Sequence, residues 1–275
     1  MVDLGIGDRC NSSCIMCTTV RPEDKKVENR MLSKEEVFSM IDKMERPPYI
    51  AITGGEPTIR KDLTEIVGHA RNRFPAAEIK LLTNARMASY PDYANDLLST
   101  GIDVYIIPLH SHHPDLHDFV TRTKGSFVQT VQGIRNLSKA KIEIRIVIHG
   151  INYPFLPETA EFIRDNFPGA SVVMIYFDII GSAFINRDRL VVQMTRIAPY
   201  LEKAIDVLQQ NDIHTYHFPL CVLGLRYRDS AKGVTVVGHR IMFADSCAAC
   251  SMKSKCCGIW KAYAKLVGTG EFKPI

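Results

Sequence analysis

An α/β chain built on a parallel sheet, with a small cysteine-rich appendage at its C-terminal end, is what this sequence predicts. Three observations carry the prediction. Short apolar runs alternate with amphipathic stretches from residue 2 to about residue 210. The 8 cysteines fall into two groups at opposite ends of the chain. A length of 275 residues suits one large domain, or one domain with an extension.

Taken in order, the strand candidates are Val2–Gly7, Tyr49–Thr53, Glu78–Thr83, Asp103–Leu109, Lys141–Ile148 and Ser171–Asp178. The helix candidates are Ser33–Glu45, Leu63–Phe74, Tyr93–Ser99, Phe127–Lys139, Leu156–Asn166 and Arg196–Gln210. Ser33 with Glu36 forms a capping-box pattern at a helix start. In the last helix Ile197, Leu201, Ala204, Ile205 and Leu208 fall on one face, the spacing of a core-facing stripe. Strict alternation of strand and helix implies parallel strands joined by helical crossovers. Either a partial, open barrel or a doubly wound sheet satisfies it, and both gather functional loops at the C-terminal ends of the strands. Beyond Asp178 the alternation weakens. Ile179–Leu190 reads as a loop, and a tail begins near His214, which sets a division into residues 1–210 and 211–275.

Composition excludes several classes. The hydrophobic share is 46% and the charged share 23%, those of an ordinary globular protein. A net charge of +4 gives no case for a nucleic-acid or membrane partner. No apolar run reaches the length of a membrane span, and the N-terminus lacks a signal peptide's basic head and apolar core. The expected location is the cytoplasm, where thiols stay reduced and clustered cysteines point to metal instead of disulfides.

Cys10, Cys14 and Cys17 are spaced C-x3-C-x2-C directly after the first strand, with no fourth ligand nearby. Structural zinc takes four closed ligands, and a distant residue could complete such a site. A cubane iron–sulfur cluster has four irons, so three thiolates leave one iron open. One βα unit later the second strand runs into Gly54-Gly55-Glu56-Pro57. Paired glycines permit close backbone approach and positive φ, Glu56 supplies an acceptor suited to an ammonium group, and Pro57 sets the exit direction.

Together these two motifs resemble the signature of the radical S-adenosylmethionine (SAM) enzymes, over at least residues 2–180. The resemblance implies a partial (β/α)6 TIM-like barrel. It implies a [4Fe–4S] cluster on Cys10, Cys14 and Cys17, with SAM chelating the open iron and Gly54, Gly55, Glu56 and Pro57 holding the methionyl amino group. One electron into the sulfonium would yield methionine and a 5′-deoxyadenosyl radical that abstracts a substrate hydrogen. A reductant such as flavodoxin or ferredoxin would supply that electron. Thr83-Asn84-Ala85 stands where the family often has Thr-Asn-Gly, which suggests Asn84 as a SAM contact. Ser111, after the fourth strand, is at a position where a polar residue commonly meets SAM. Arg145, inside the fifth strand, is either aimed at the SAM carboxylate or merely ion-paired. His110, His112, His113 and His117 read as solvated loop histidines instead of metal ligands.

The tail carries Cys221, Cys247, Cys250, Cys256 and Cys257. Its C-x2-C-x5-C spacing is similar to the SPASM/twitch auxiliary-cluster module, which implies one further [4Fe–4S] cluster on Cys221, Cys247, Cys250 and Cys256, with Cys257 left over. A zinc knuckle is the alternative. Within the superfamily the chain resembles peptide-modifying maturases, in particular the C-type maturase of His-Xaa-Ser peptide systems. Phe177-Asp178-Ile179-Ile180-Gly181 departs from the acidic turn expected there. The resemblance implies oxidative modification of a ribosomal peptide. A small-molecule or cofactor-biosynthetic enzyme and a non-catalytic metal scaffold are the alternatives. With Cys10 so near residue 1, a leader-recognition domain is not expected, and a separate protein would present the peptide or the barrel mouth and tail would bind it.

Overall fold

The computed structural model describes residues 2–21, 24–25, 29–235 and 238–275. Seven parallel strands run β1 (Val2–Gly5), β2 (Tyr49–Thr53), β3 (Glu78–Leu82), β4 (Val104–Pro108), β5 (Lys141–Ile148), β6 (Ser171–Tyr176) and β7 (Ile213–Tyr216). Their order in the sheet is the order of the chain. A doubly wound sheet reverses strand order at a switch point. None occurs here, so the sheet is a singly wound, open barrel. Its register is pinned pair by pair, for example Leu4 opposite Ile52, Ile107 opposite Ile144 and Ile175 opposite Tyr216.

The crossovers are α1 (Lys34–Asp42), α2 (Leu63–Arg73), α3 (Pro91–Ser99), α4 (Pro114–Thr121), α5 (Ser126–Asn136), α6 (Leu156–Asn166), α7 (Ser182–Ile185), α8 (Arg187–Leu190) and α9 (Met194–Val207). Helix α1 starts on the expected capping box: Glu36 N donates to Ser33 Oγ at 3.1 Å, and Ser33 N to Glu36 Oε2 at 2.7 Å. Strand β5 shows how the barrel sorts its side chains. Ile142, Ile144, Ile146 and Ile148 are buried toward the helices, while Glu143, Arg145 and Val147 alternate onto the other, half-open face. Each such isoleucine contributes ~2 kcal/mol of burial.

Three features differ from the sequence expectation. Strand β7 adds to the sheet beyond the six expected strands, so the sheet continues past residue 210. It has four residues, too short to stand out beside the cysteine-rich tail. Helix α4 takes in His117, read as part of a histidine loop, and Ile179–Leu190 holds the one-turn helices α7 and α8.

The tail forms an antiparallel pair, β8 (Ile241–Met242) with β9 (Ile259–Trp260), and helix α10 (Lys261–Val267). It is bolted to the start of α9. Met194 N donates to the Tyr263 hydroxyl at 3.1 Å, Tyr263 in turn donates to Glu271, and Thr195 N donates to Glu271 Oε2 at 2.8 Å. Among the described residues no helix is long and apolar enough to cross a membrane.

Candidate active site

The loop after β1 is held from three sides. From α4, the Thr121 and Val120 carbonyls accept from Ser13 N and Ile15 N at 3.0 and 2.9 Å. From the turn after β6, Ala183 N donates to the Cys17 carbonyl at 3.1 Å and Asn186 Nδ2 to the Ile15 carbonyl at 3.2 Å. From the exit of β3, Asn84 Nδ2 donates to Asn11 Oδ1 at 2.7 Å. This bracing fixes where Cys10, Cys14 and Cys17 point.

The two glycines after β2 serve that loop directly. Gly54 has φ +140, and a Cβ there would meet the Gly7 carbonyl oxygen at 2.3 Å. A Cβ on Gly55 would meet the Arg9 oxygen at 2.0 Å. Gly55 N and Glu56 N donate to the Gly7 and Arg9 carbonyls at 2.7 and 2.8 Å. The close approach that these glycines allow is therefore backbone on backbone, Gly-Gly-Glu against the cysteine loop. Pro57 opens a single 3-10 turn and is buried.

Glu56 is 2% exposed. Its Oε1 accepts from Thr58 N at 3.1 Å and from the Thr58 and Thr83 hydroxyls, both at 2.6 Å; its Oε2 accepts from Asn84 N at 2.7 Å. A carboxylate offers about four lone-pair sites, two per oxygen. Oε1 is saturated and Oε2 keeps one position open. Burial pushes the Glu56 carboxyl above its ordinary range despite these donors. The site thus holds a carboxylate fixed by four donors on the cavity wall.

Cys10, Cys14, Cys17, Glu56, Asn84 and Arg145 line one cavity of about 230 Å³. Burial raises the Cys10 thiol to about 11 and pushes Cys14 higher, with Cys17 and Cys10 adding to the effect at Cys14. Iron would offset that cost by displacing the thiol protons. Among the described residues no three His, Cys, Asp or Glu side chains converge on a single metal ion. A cubane, which takes one thiolate per iron, asks for a wider spread, so three mutually felt thiols on one cavity wall fit it.

The remaining predicted residues divide. Arg145 both faces the interior and is ion-paired, its Nε donating to Glu143 Oε1 at 3.0 Å. Ser111 is wholly buried, its Oγ accepting from His113 N at 2.9 Å, and it does not line the cavity. The turn into α4 uses its hydroxyl instead. The reading of the histidines as solvated is corrected for two of the four. His110 and His117 are 2% and 1% exposed and stack at 5.6 Å. His117 Nδ1 accepts from His110 N at 3.3 Å, because α4 folds back over the β4 exit.

A second cavity of about 540 Å³ shares Cys14, Cys17, Pro108 and Arg145 with the first. Its far wall comes from the β6 exit and the tail: Tyr176, Phe177, Asp178, His217, Arg240 and Trp260. Arg240 Nη1 donates to Asp178 Oδ2 at 2.6 Å, and His217 stacks on Trp260 at 4.3 Å. None of these carried a motif. Nor did Arg21, which lines the cysteine cavity; its one sequence signal is a cation four residues beyond Cys17.

In the tail, Cys221, Cys247, Cys250 and Cys256 line a single cavity, and Cys257 does not. A hydrogen bond from Cys257, with further backbone donors, lowers the Cys256 thiol to about 6. Cys257 is buried and pushed up by the same bond.

An open parallel barrel with three thiols and a fixed carboxylate at the C-terminal ends of its strands defines an enzyme that works through an iron–sulfur centre and a bound cationic cofactor. The Radical SAM superfamily profile matches residues 4–164, and the chain belongs to that superfamily. Its members use a [4Fe–4S] cluster and SAM. Similar curated proteins include the GTP 3',8-cyclase of Petrotoga mobilis, 30% identical over 54% of this chain and 47% of that protein. The Fe-coproporphyrin III synthase of Methanosarcina barkeri is 28% identical over 78% and 52%. The mycofactocin maturase MftC of Mycolicibacterium smegmatis is 32% identical over 55% and 38%. The chain spans about half the length of most such relatives. Among solved structures, Streptococcus suis SuiB bound to its precursor peptide SuiA superposes with a TM-score of 0.61 at 12% identity, covering 78% of this chain and 48% of that one. The hydrogenase maturase HydG of Carboxydothermus hydrogenoformans gives 0.61 at 16%, over 78% and 52%. At these identities both report the fold.

Proposed function

We propose that this radical SAM enzyme oxidatively modifies a ribosomal peptide, abstracting hydrogen from a side chain that enters the larger cavity. The composition of that cavity carries the reading. Its wall is mainly apolar and aromatic, and its two arginines are already neutralised, Arg145 by Glu143 and Arg240 by Asp178. A nucleoside triphosphate needs uncompensated cationic donors. An amino-acid side chain does not.

Cys10, Cys14 and Cys17 would each hold one iron, leaving the fourth for SAM. When bound, the cluster and SAM supply one-electron cleavage of the sulfonium and hydrogen-atom abstraction. Glu56 Oε2 would accept from the methionyl ammonium, with Thr83 and Asn84 keeping the carboxylate in place. Arg145, on the border of both cavities and paired with Glu143, would help separate cofactor from substrate. Cys221, Cys247, Cys250 and Cys256 would hold an auxiliary cluster, and the tail would close the substrate chamber with Trp260 and Arg240. A flavodoxin or ferredoxin would supply the electron.

The test is deuterium transfer. The reconstituted protein is incubated anaerobically with dithionite, SAM and either a deuterated peptide encoded beside its gene or deuterated GTP. Deuterium in 5′-deoxyadenosine from the peptide alone supports the reading, and transfer from GTP alone overturns it. A small-molecule substrate is the second reading, favoured by the cyclase and porphyrin-synthase relatives.

A further inference from the structure

Arg21 is 2% exposed, and its side chain lines the cavity that holds Cys10, Cys14 and Cys17. Its Nη1 donates to the Asp8 carbonyl at 3.0 Å and its Nε reaches the Thr19 carbonyl at 3.5 Å. Nη2 is buried with no partner among the described residues. Among the described residues no carboxylate pairs with this guanidinium. Glu56, in the same cavity, takes its hydrogen bonds from Thr58, Thr83 and Asn84. Arg145, the other cation there, is matched by Glu143. A buried arginine is always charged, and a buried charge left without a counter-ion is costly. Besides Glu56, the groups on this cavity able to become anionic are the thiols, and Arg21 bears on both Cys10 and Cys14.

We infer that Arg21 is the built-in counter-charge of this cavity, a positioning residue whose free Nη2 and positive charge are met by the anion bound against the cysteine loop. The inference rests on the three thiolates holding the cluster. Two anions meet that chemistry: the thiolate-ligated iron–sulfur centre and the carboxylate of SAM. Reduction adds one negative charge to the centre, so a fixed cation beside it favours the reduced form. A second consequence is geometric. The same guanidinium ties Asp8 to Thr19 across the loop, which aligns the charge with the thiols.

The experiment uses the full chain reconstituted anaerobically, as parent, Arg21→Gln and Arg21→Lys. Iron content, the midpoint potential of the cluster whose EPR signal SAM perturbs, and the dissociation constant of SAM are measured for each. Gln keeps two donors and removes the charge; Lys keeps the charge. In R21Q the reduced-to-oxidised ratio at fixed potential is expected to fall about tenfold, a negative shift of ~59 mV for a one-electron couple, while R21K stays near the parent. An unchanged potential with SAM affinity falling about tenfold in R21Q, and not in R21K, assigns the anion to the SAM carboxylate. Parent-like potential and affinity in R21Q overturn the inference. So does loss of iron from R21K as complete as from R21Q, which makes Arg21 only a brace of the loop. A parent chain that takes up no iron at all would instead sink the reading of the cysteines.

Discussion

The hydroxyl of Thr83, at the exit of β3, donates to Oε1 of Glu56, at the exit of β2, at 2.6 Å. Two neighbouring strands thus end in one hydrogen bond, which turns a flexible carboxylate into a fixed acceptor before any cofactor arrives. Preorganisation of this kind lowers the ordering cost of binding.

Replacing Glu56 by Gln keeps the shape and removes the charge. A hydrogen bond to a charged group contributes about 1.5–3 kcal/mol, so SAM should bind roughly 10- to 100-fold more weakly. Thr83→Ala removes one neutral donor and should cost about 1 kcal/mol, read as a several-fold weaker dissociation constant. Equilibrium dialysis on the iron-loaded protein measures both.

Gly55→Ala places a methyl where the Arg9 carbonyl oxygen stands 2.0 Å away. The cysteine loop must move, at a cost of about 1–3 kcal/mol for overpacking. Iron uptake at the first cluster should fall while the far-ultraviolet circular dichroism keeps its barrel signature. Parent-like iron content would show that the loop tolerates the shift.

The paired tail cysteines are expected to separate cleanly. Cys256→Ser should lose about half of the roughly eight irons expected from two cubanes. Cys257→Ser should keep them, because Cys257 does not line the cavity. Iron and sulfide analysis decides between them.

Acid should destabilise the fold from near pH 6.5 downward. Burial holds His117 near 4, His149 near 3 and His217 near 4, against an ordinary 6.5, and lowers His110 also. Between those values and 6.5 the unfolded chain binds protons that the folded chain does not, so stability is complete above 6.5 and is lost as pH falls. Each such histidine contributes up to about 1.4 kcal/mol per pH unit. Thermal melts from pH 7.5 to 5 should show the slope, and His149→Gln should flatten it by one proton.

Much of the fold was legible because its signals are local. Lys141–Ile148 and Leu156–Asn166 have the bounds their periodicity predicts. Strand β7 was not legible, since its four residues gain strand character only by pairing with β6. His110 and His117 look like a polar loop in sequence, and their burial comes from α4 folding over the β4 exit. Ser111 matched a family position by offset from a strand, yet the local turn took its hydroxyl.

By itself the sequence determined the partition of the cysteines, the βα rhythm and the pairing of the cysteine loop with Gly-Gly-Glu-Pro, all properties of spacing along the chain. Tertiary structure decided what each element faces. It set the two glycines against the carbonyls of Gly7 and Arg9, placed Cys256 but not Cys257 on the tail cavity, and put Arg21 on one cavity wall with three thiols. Those outcomes depend on which backbone arrives opposite a residue across tens of positions, and hydrophobic period and motif spacing carry no record of it.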